Sequence, residues 1–402
     1  MKKLLIAFTF TSVLVSCTDS KVKDNIADVK ELTSPAKDSC SEPFLFTDKN
    51  GLVYLSWIEK KGKENNFKYS TLNIDQWIEP ITIASGRNWF VNWADYPMLV
   101  ADGNKNIMAH YLEKSDTAKF TYDIKIISST DNGASWTASK ILHDDGKQAE
   151  HGFLSMIPYG DKFFVSWLDG RNTATGENAG HEEHHGQMTI RAALLSTDGV
   201  KEKEWELDNR VCDCCQTIAS ITNNGPVVIY RDRSEQEIRD MSIVRFVNGQ
   251  WTKPKIIFPD NWKITGCPVN GPRADAIGNN LVIVWFSMQG KKGQVKTIFS
   301  EDGGETFKTP IQIDEGNAIG RVDVVMLDEK TAMVSWMEGS AIKAVKVNAN
   351  GTIEPSITVA TSSESRSSGF PQMTKSGNKI YFAWTDNKEK VIRVAYLFIK
   401  KD

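Results

Sequence analysis

Beyond residue 15 the chain has no apolar run approaching the roughly 18 residues that a membrane-spanning helix needs, so the remainder reads as soluble. It also lacks an excess of charge of either sign. Lys and Arg number 48 and Asp and Glu 51, interspersed, for a net charge of −3. Nucleic-acid-binding surfaces are basic patches or stripes, so no nucleic-acid partner is expected. Cysteine and histidine are scarce, six of each in 402 residues. That scarcity gives weight to where they fall. Cys212, Cys214 and Cys215 fall within four positions, and His181-Glu182-Glu183-His184-His185 places five potential ligands, three of them histidines, in a row. Aromatic residues, by contrast, are plentiful, with twelve Trp, and the charged fraction is ordinary. This is the composition of a globular chain with a substantial core.

The N-terminus is a basic Met1-Lys2-Lys3 followed by an apolar run from Leu4 to Val15, a secretory signal too short to span a membrane. Leu14-Val15-Ser16-Cys17 looks like a bacterial lipobox, which implies cleavage before Cys17 and lipidation of its sulfur. The expected organisation is a signal peptide over 1–16, a polar tether over 17–40 and one folded domain over 41–402. The expected location is the cell envelope, anchored to the membrane by the N-terminal lipid and facing the periplasm or the outside. Five cysteines remain, at Cys40, Cys212, Cys214, Cys215 and Cys267. Export permits disulfides, and the odd number leaves at least one thiol free, metal-bound or paired with another molecule.

A β-rich strand ending on an aromatic residue recurs along the chain, at Trp57, Tyr111, Trp167, Tyr230, Trp285, Trp336 and Trp384. The intervals are 54, 56, 63, 55, 51 and 48 residues. A period of about 50 with room for four short strands predicts an all-β propeller of four-stranded antiparallel blades. Seven units predict seven blades, with six as the alternative if one repeat is degenerate. Little chain follows the third strand of the last unit, so the segment near Ile26–Leu32 is expected to supply the missing strand and close the ring.

Ser129-Thr130-Asp131-Asn132-Gly133-Ala134-Ser135-Trp136 and Ser300-Glu301-Asp302-Gly303-Gly304-Glu305-Thr306-Phe307 repeat one turn pattern. Asp131 and Asp302 can hold a tight turn through backbone N–H groups, Gly133 and Gly304 supply its dihedral, and Trp136 and Phe307 anchor it on the core. These matches resemble the Asp-box, and the chain from about Cys40 onward resembles the sialidase-like Asp-box (BNR repeat) β-propeller superfamily. The Asp-boxes are expected on the lower face, with a structural role only.

The repeat phase puts the starts of the innermost strands, and the hairpins between second and third strands, on the opposite, upper face. Polar groups converging there are the default binding site, for a polar, anionic or glycan ligand. Three readings compete. The resemblance implies a sialidase-like glycoside hydrolase, which needs arginines clamping a carboxylate, an acid/base group and a Tyr polarised by Glu. Arg231, Arg273 and Arg321, with Asp213 and Asp169, are the candidates, and Tyr230 with Glu237 the expected pair; the family's Arg-Ile-Pro motif is absent. The second reading is a Cu or Zn site, or a redox centre, built from Cys212, Cys214, Cys215 and Cys267 with His151, His181, His184 and His185. Thiolates and imidazoles suit those metals, and disulfides are the alternative use of the same thiols. The third is a binding module without catalysis, stacking a ligand on Trp89, Trp93, Tyr96, Trp262 or Phe370.

Overall fold

The computed structural model describes residues 29–173, 186–290 and 292–399. Their strands form seven antiparallel sheets, the blades of a propeller. Blades 1 to 7 take residues 40–86, 98–141, 151–208, 218–258, 273–312, 318–361 and 372–398. Apart from one 3₁₀ turn at Arg366–Ser368, the described residues contain no helix. In every blade the first strand is innermost and the first three strands pair in sequence order; in blades 1 and 4 the outer edge is split, with Gln76–Trp77 and Ile81–Gly86 both on Glu64–Asn73, and Gln250–Trp251 and Lys255–Phe258 both on Met241–Val247.

Blade 7 is completed from the other end of the chain. Lys30–Leu32 runs antiparallel to Val391–Phe398, with Leu32 opposite Val394 and Lys30 opposite Tyr396. The ring is therefore closed with seven blades, and the closing strand lies inside the segment assigned to the tether.

Second strands are apolar on both faces because each is sandwiched within its sheet and against both neighbouring blades. Lys162–Asp169 is buried at every position after its first. The aromatic that ends each repeat is the main filling: Trp57, Trp167, Trp285 and Trp336 are among the largest fully buried side chains. Losing such a ring from a core costs about 3–5 kcal/mol, which accounts for the regularity of the repeat.

Both Asp-boxes lie between third and fourth strands, on the lower face as expected. Asp302 accepts from the N–H of Thr306 at 2.8 Å and from its hydroxyl at 2.5 Å, and from the Ser300 hydroxyl at 2.8 Å. Asp131 does the same with Ser135 and Ser129. Gly133 has φ +82°, and a Cβ there would lie 2.0 Å from the hydroxyl of Tyr69 in the preceding blade. Trp136 meets the same Tyr69 edge-on. Each turn is thus pinned to the blade before it.

Neighbouring innermost strands are joined by side chains reaching across to backbone. Asp95 accepts the N–H of Phe153 at 2.7 Å, and Ser155 that of Ala219 at 2.9 Å. Asp275 accepts the N–H of Met326 and Asp323 that of Met373, both at 2.7 Å. Thr47 meets Thr374 at 2.8 Å across the closing seam. Burial pushes Asp95 up to about 7 and Asp323 up to about 6, against the lowering effect of these bonds.

Two outcomes are expected. Asp302→Ala removes three hydrogen bonds to a carboxylate and should destabilise the fold by about 1.5–3 kcal/mol in denaturant titrations. Asp95 and Asp323 hold their protons more tightly when folded than in the unfolded chain, where Asp titrates near about 3.9. Their contribution is full below that value and is lost as pH rises through about 6 and about 7. Asp323→Asn keeps the acceptor for Met373 but abolishes the titration, so its stability should fall less steeply across this window than the parent's.

Candidate functional site

The upper face divides into two halves, stitched by one side chain near the axis. Gln216, just before the inner strand of blade 4, donates through Nε2 to the carbonyl of Ala94 at 2.6 Å and accepts from the N–H of Gly271 at 2.9 Å. Gly271 is required there, since a Cβ would lie 2.1 Å from the Gln216 carbonyl oxygen. Asn270 works the next joint. Its carbonyl accepts from Arg231 Nη2 at 2.8 Å and its Oδ1 from the N–H of Arg321 at 2.8 Å.

The arginines expected to clamp a carboxylate are placed at the mouth but are mostly occupied. Arg231 is buried and donates to the carbonyls of Asn270, Arg239 and Phe286. Arg321 is buried and donates to the carbonyls of Glu364 and Ser365 and to the Ser368 hydroxyl. Both fasten loops rather than present free donors. Arg273 lies 4.0 Å from Asp323 and over the Tyr96 ring, with Nη2 buried and unbonded; burial lowers its pKa. Asp169 is fully buried, accepting from Trp167 Nε1 and from Arg171. Asp213 pairs with Arg233 at 2.9 Å. Tyr230 bonds Asp208, and Glu237 bonds Arg233 and Arg239, so these two do not pair.

A Tyr–Glu pair does exist elsewhere, and sequence reasoning missed it. The Tyr122 hydroxyl lies 2.8 Å from Glu150 and 3.1 Å from Asp95. Burial raises Glu150 well above the carboxylate range, and Asp95 and Asp213 add to this against the Tyr122 hydrogen bond. Tyr122 is 0 % exposed, with Phe90 stacked on it at 4.1 Å. Its hydroxyl is sealed from any ligand at the mouth, and the trio joins blades 2 and 3.

Four cysteines converge between blades 4 and 5. The sulfurs of Cys212, Cys214 and Cys215 lie within 4.8 Å of one another, with Cys212 and Cys215 3.7 Å apart. All three are buried free thiols, whereas Cys267 is exposed and interacts through its thiol with Cys214. Arg239 Nη1 lies 3.1 Å from Cys212. Burial opposes ionisation of Cys215, but hydrogen bonds from Cys212 and Cys214 and the charge of Arg231 outweigh it, holding this thiol well below its ordinary range. Burial and the neighbouring thiols hold Cys214 well above it. Cys40 lies apart in blade 1, its thiol donating to the Asp38 carbonyl and pushed up to about 12 by burial.

His151 joins Asp145 at 2.8 Å rather than the thiols. It stands opposite Asp169 in the strand register, which directs it toward the Asp169–Arg171 pair. It also stacks on His143, with ring centroids 3.5 Å apart and planes within 3°. One ion cannot lie in both of two parallel ring planes at that separation, so the stacked rings do not share a metal. Arg171 already supplies the cation between Asp145 and Asp169. His181, His184 and His185 lie outside the described residues, as does Cys17.

The other half of the face carries a groove of about 850 Å³ between blades 7, 1 and 2. Lys60, Arg366 and Lys390 line it, with Glu42 as its one acidic residue and Trp93 as its aromatic wall. Trp93 is half-buried, stacked on Phe370 at 5.6 Å with Arg321 over its ring at 5.4 Å. Of the other aromatics expected to face a ligand, Trp89, Tyr96, Trp262 and Phe370 are buried in core contacts. Lys60 stands at the end of the second strand of blade 1 and Lys390 in the hairpin between second and third strands of blade 7, so the repeat phase could have found them.

No family model matches the chain, and no curated protein matches it in sequence. Solved structures do. The polysaccharide lyase Uly1 aligns over 97 % of this chain and 96 % of its own, with TM-score 0.58 and 9 % identity. A polysaccharide lyase described as an ulvan lyase aligns over 80 % of each chain, with TM-score 0.51 and 14 % identity. A NanB sialidase variant from Streptococcus pneumoniae aligns over 90 % of this chain and 69 % of its own, with TM-score 0.46 and 14 % identity. At these identities the likeness is one of fold alone, and that fold is a seven-bladed β-propeller.

Proposed function

We propose that the chain is an exported, lipid-anchored propeller that binds an anionic saccharide in the groove between blades 7, 1 and 2. The observation that carries this reading is the groove's chemistry. Three cations, Lys60, Arg366 and Lys390, stand against one acid beside the half-buried Trp93. Carboxylate or sulfate groups suit the cations, and a sugar's apolar face suits an aromatic wall. The hydroxyl-rich remainder would be met by Ser367 and Asn387, which also line the groove. Binding is favoured over sialidase-type turnover by burial. Tyr122 and Tyr230 are both 0 % exposed, and Arg231 and Arg321 direct their donors to the protein itself. The anchor rests on the lipobox-like Leu14–Cys17. The twelve residues from there to the start of the described chain reach about 40 Å when extended, enough to hold blade 7 near a membrane.

Calorimetric titration with N-acetylneuraminate, uronate-containing and sulfated oligosaccharides should show binding to at least one, weakening with salt, and none to neutral counterparts. Lys60→Glu with Lys390→Glu should weaken it by about tenfold or more, about 1.4 kcal/mol. Equal binding of neutral sugars, or turnover of a chromogenic sialoside, would replace this reading. Cys17→Ser should shift the protein from the membrane fraction to the soluble envelope fraction; unchanged membrane association would exclude the lipid anchor.

A further inference from the structure

We propose that Cys212, Cys214 and Cys215 form a three-coordinate thiolate site for a soft monovalent metal ion, Cu(I), with the exposed Cys267 as its point of entry. The spacing of the sulfurs is the first argument. A disulfide requires about 2.05 Å, whereas thiolates sharing an ion with metal–sulfur bonds near 2.3 Å stand roughly 3.7–4 Å apart. Cys212 and Cys215 are at 3.7 Å, and all three sulfurs lie within 4.8 Å of one another.

Ligand type is the second. The trio offers sulfur alone, which selects soft ions over Mg²⁺ or Ca²⁺. A closed zinc site takes four ligands, but Cys267 does not join the three at that mutual distance.

Charge is the third. Three thiolates around Cu(I) leave two negative charges in a buried place. Two guanidiniums stand beside them, Arg239 at 3.1 Å from Cys212 and Arg231 acting on Cys215. Arg239 Nε is buried without a partner. Binding would release to solvent the protons of those thiols not already ionised, with no change in oxidation state. Cys267, exposed and within reach of the Cys214 thiol, is placed to capture an ion and pass it inward by ligand exchange.

The test is anaerobic titration of the reduced protein with Cu(I) against a competing chromogenic Cu(I) chelator, with Zn(II) in a parallel arm. One Cu(I) per chain is expected, with a thiolate-to-copper ultraviolet band. Cys215→Ser and Cys214→Ser should abolish the band, and Cys40→Ser should leave it intact. Arg239→Gln, which removes no ligand, should weaken binding by about tenfold. Cys267→Ser should slow loading while leaving the equilibrium affinity unchanged. Circular dichroism establishes that each variant is folded, and the Arg239 and Cys267 variants keep the test open if a cysteine variant is not. The proposal fails if Cys215→Ser binds Cu(I) as tightly as the parent, or if Cys267→Ser loses affinity, which would make the site four-coordinate. It also fails if Zn(II) displaces Cu(I), or if protein isolated without reductant and then denatured shows these thiols oxidised to disulfides.

Discussion

Everything on the upper face depends on how the innermost strands are held to one another. Within a blade the strands share a backbone ladder, but from blade to blade that ladder is absent. The joints are single side chains accepting one N–H of the next strand: Asp95, Ser155, Asp275 and Asp323. A hydrogen bond to a buried carboxylate is directional and costly to leave unmade. Each joint therefore sets the height of one blade against the next. Because these joints are small, the ring can change its side chains above and below without losing its geometry.

The same logic explains what became of the arginines. A propeller mouth exposes carbonyls from loops that have left their ladders, and each buried carbonyl needs a donor. Arg231 and Arg321 supply five or more such bonds between them, to Asn270, Arg239, Phe286, Glu364 and Ser365. A guanidinium carries several donors in a rigid fork and keeps its charge when buried, so it suits loop fastening as well as it suits ligands. Arg239 is the intermediate case, tied to Glu237 on one side and to a thiol on the other. The upper face is consequently two chemistries on one scaffold, cationic and aromatic over blades 7, 1 and 2, sulfur-rich between blades 4 and 5.

The fold was legible because its signals are periodic. Trp57, Trp167, Trp285 and Trp336 recur at the one position each blade must fill, and Ser129–Trp136 and Ser300–Phe307 mark one turn twice. The closing strand Lys30–Leu32 was legible from a deficit in the last repeat. The convergence of Cys212–Cys215 with Cys267 was legible from phase alone. What escaped was pairing. Phase places His151 on the right face but does not say that it meets Asp145, and it leaves Tyr122, Glu150 and Asp95 as three unrelated polar residues. Such networks depend on side-chain direction across blade boundaries, where residues about 27 and 28 apart touch, and no sequence period carries that information.

The closing strand also governs when this protein can exist. Leu32 finds Val394 only once nearly the whole chain is present, so blade 7 is incomplete for most of synthesis. Until then Val391–Phe398 has an open strand edge, a template for pairing with another chain. A ring joined last at such distant positions has a high contact order and folds slowly. The order of events is thereby built in: the full chain first, closure of the ring afterwards, and a finished upper face last of all.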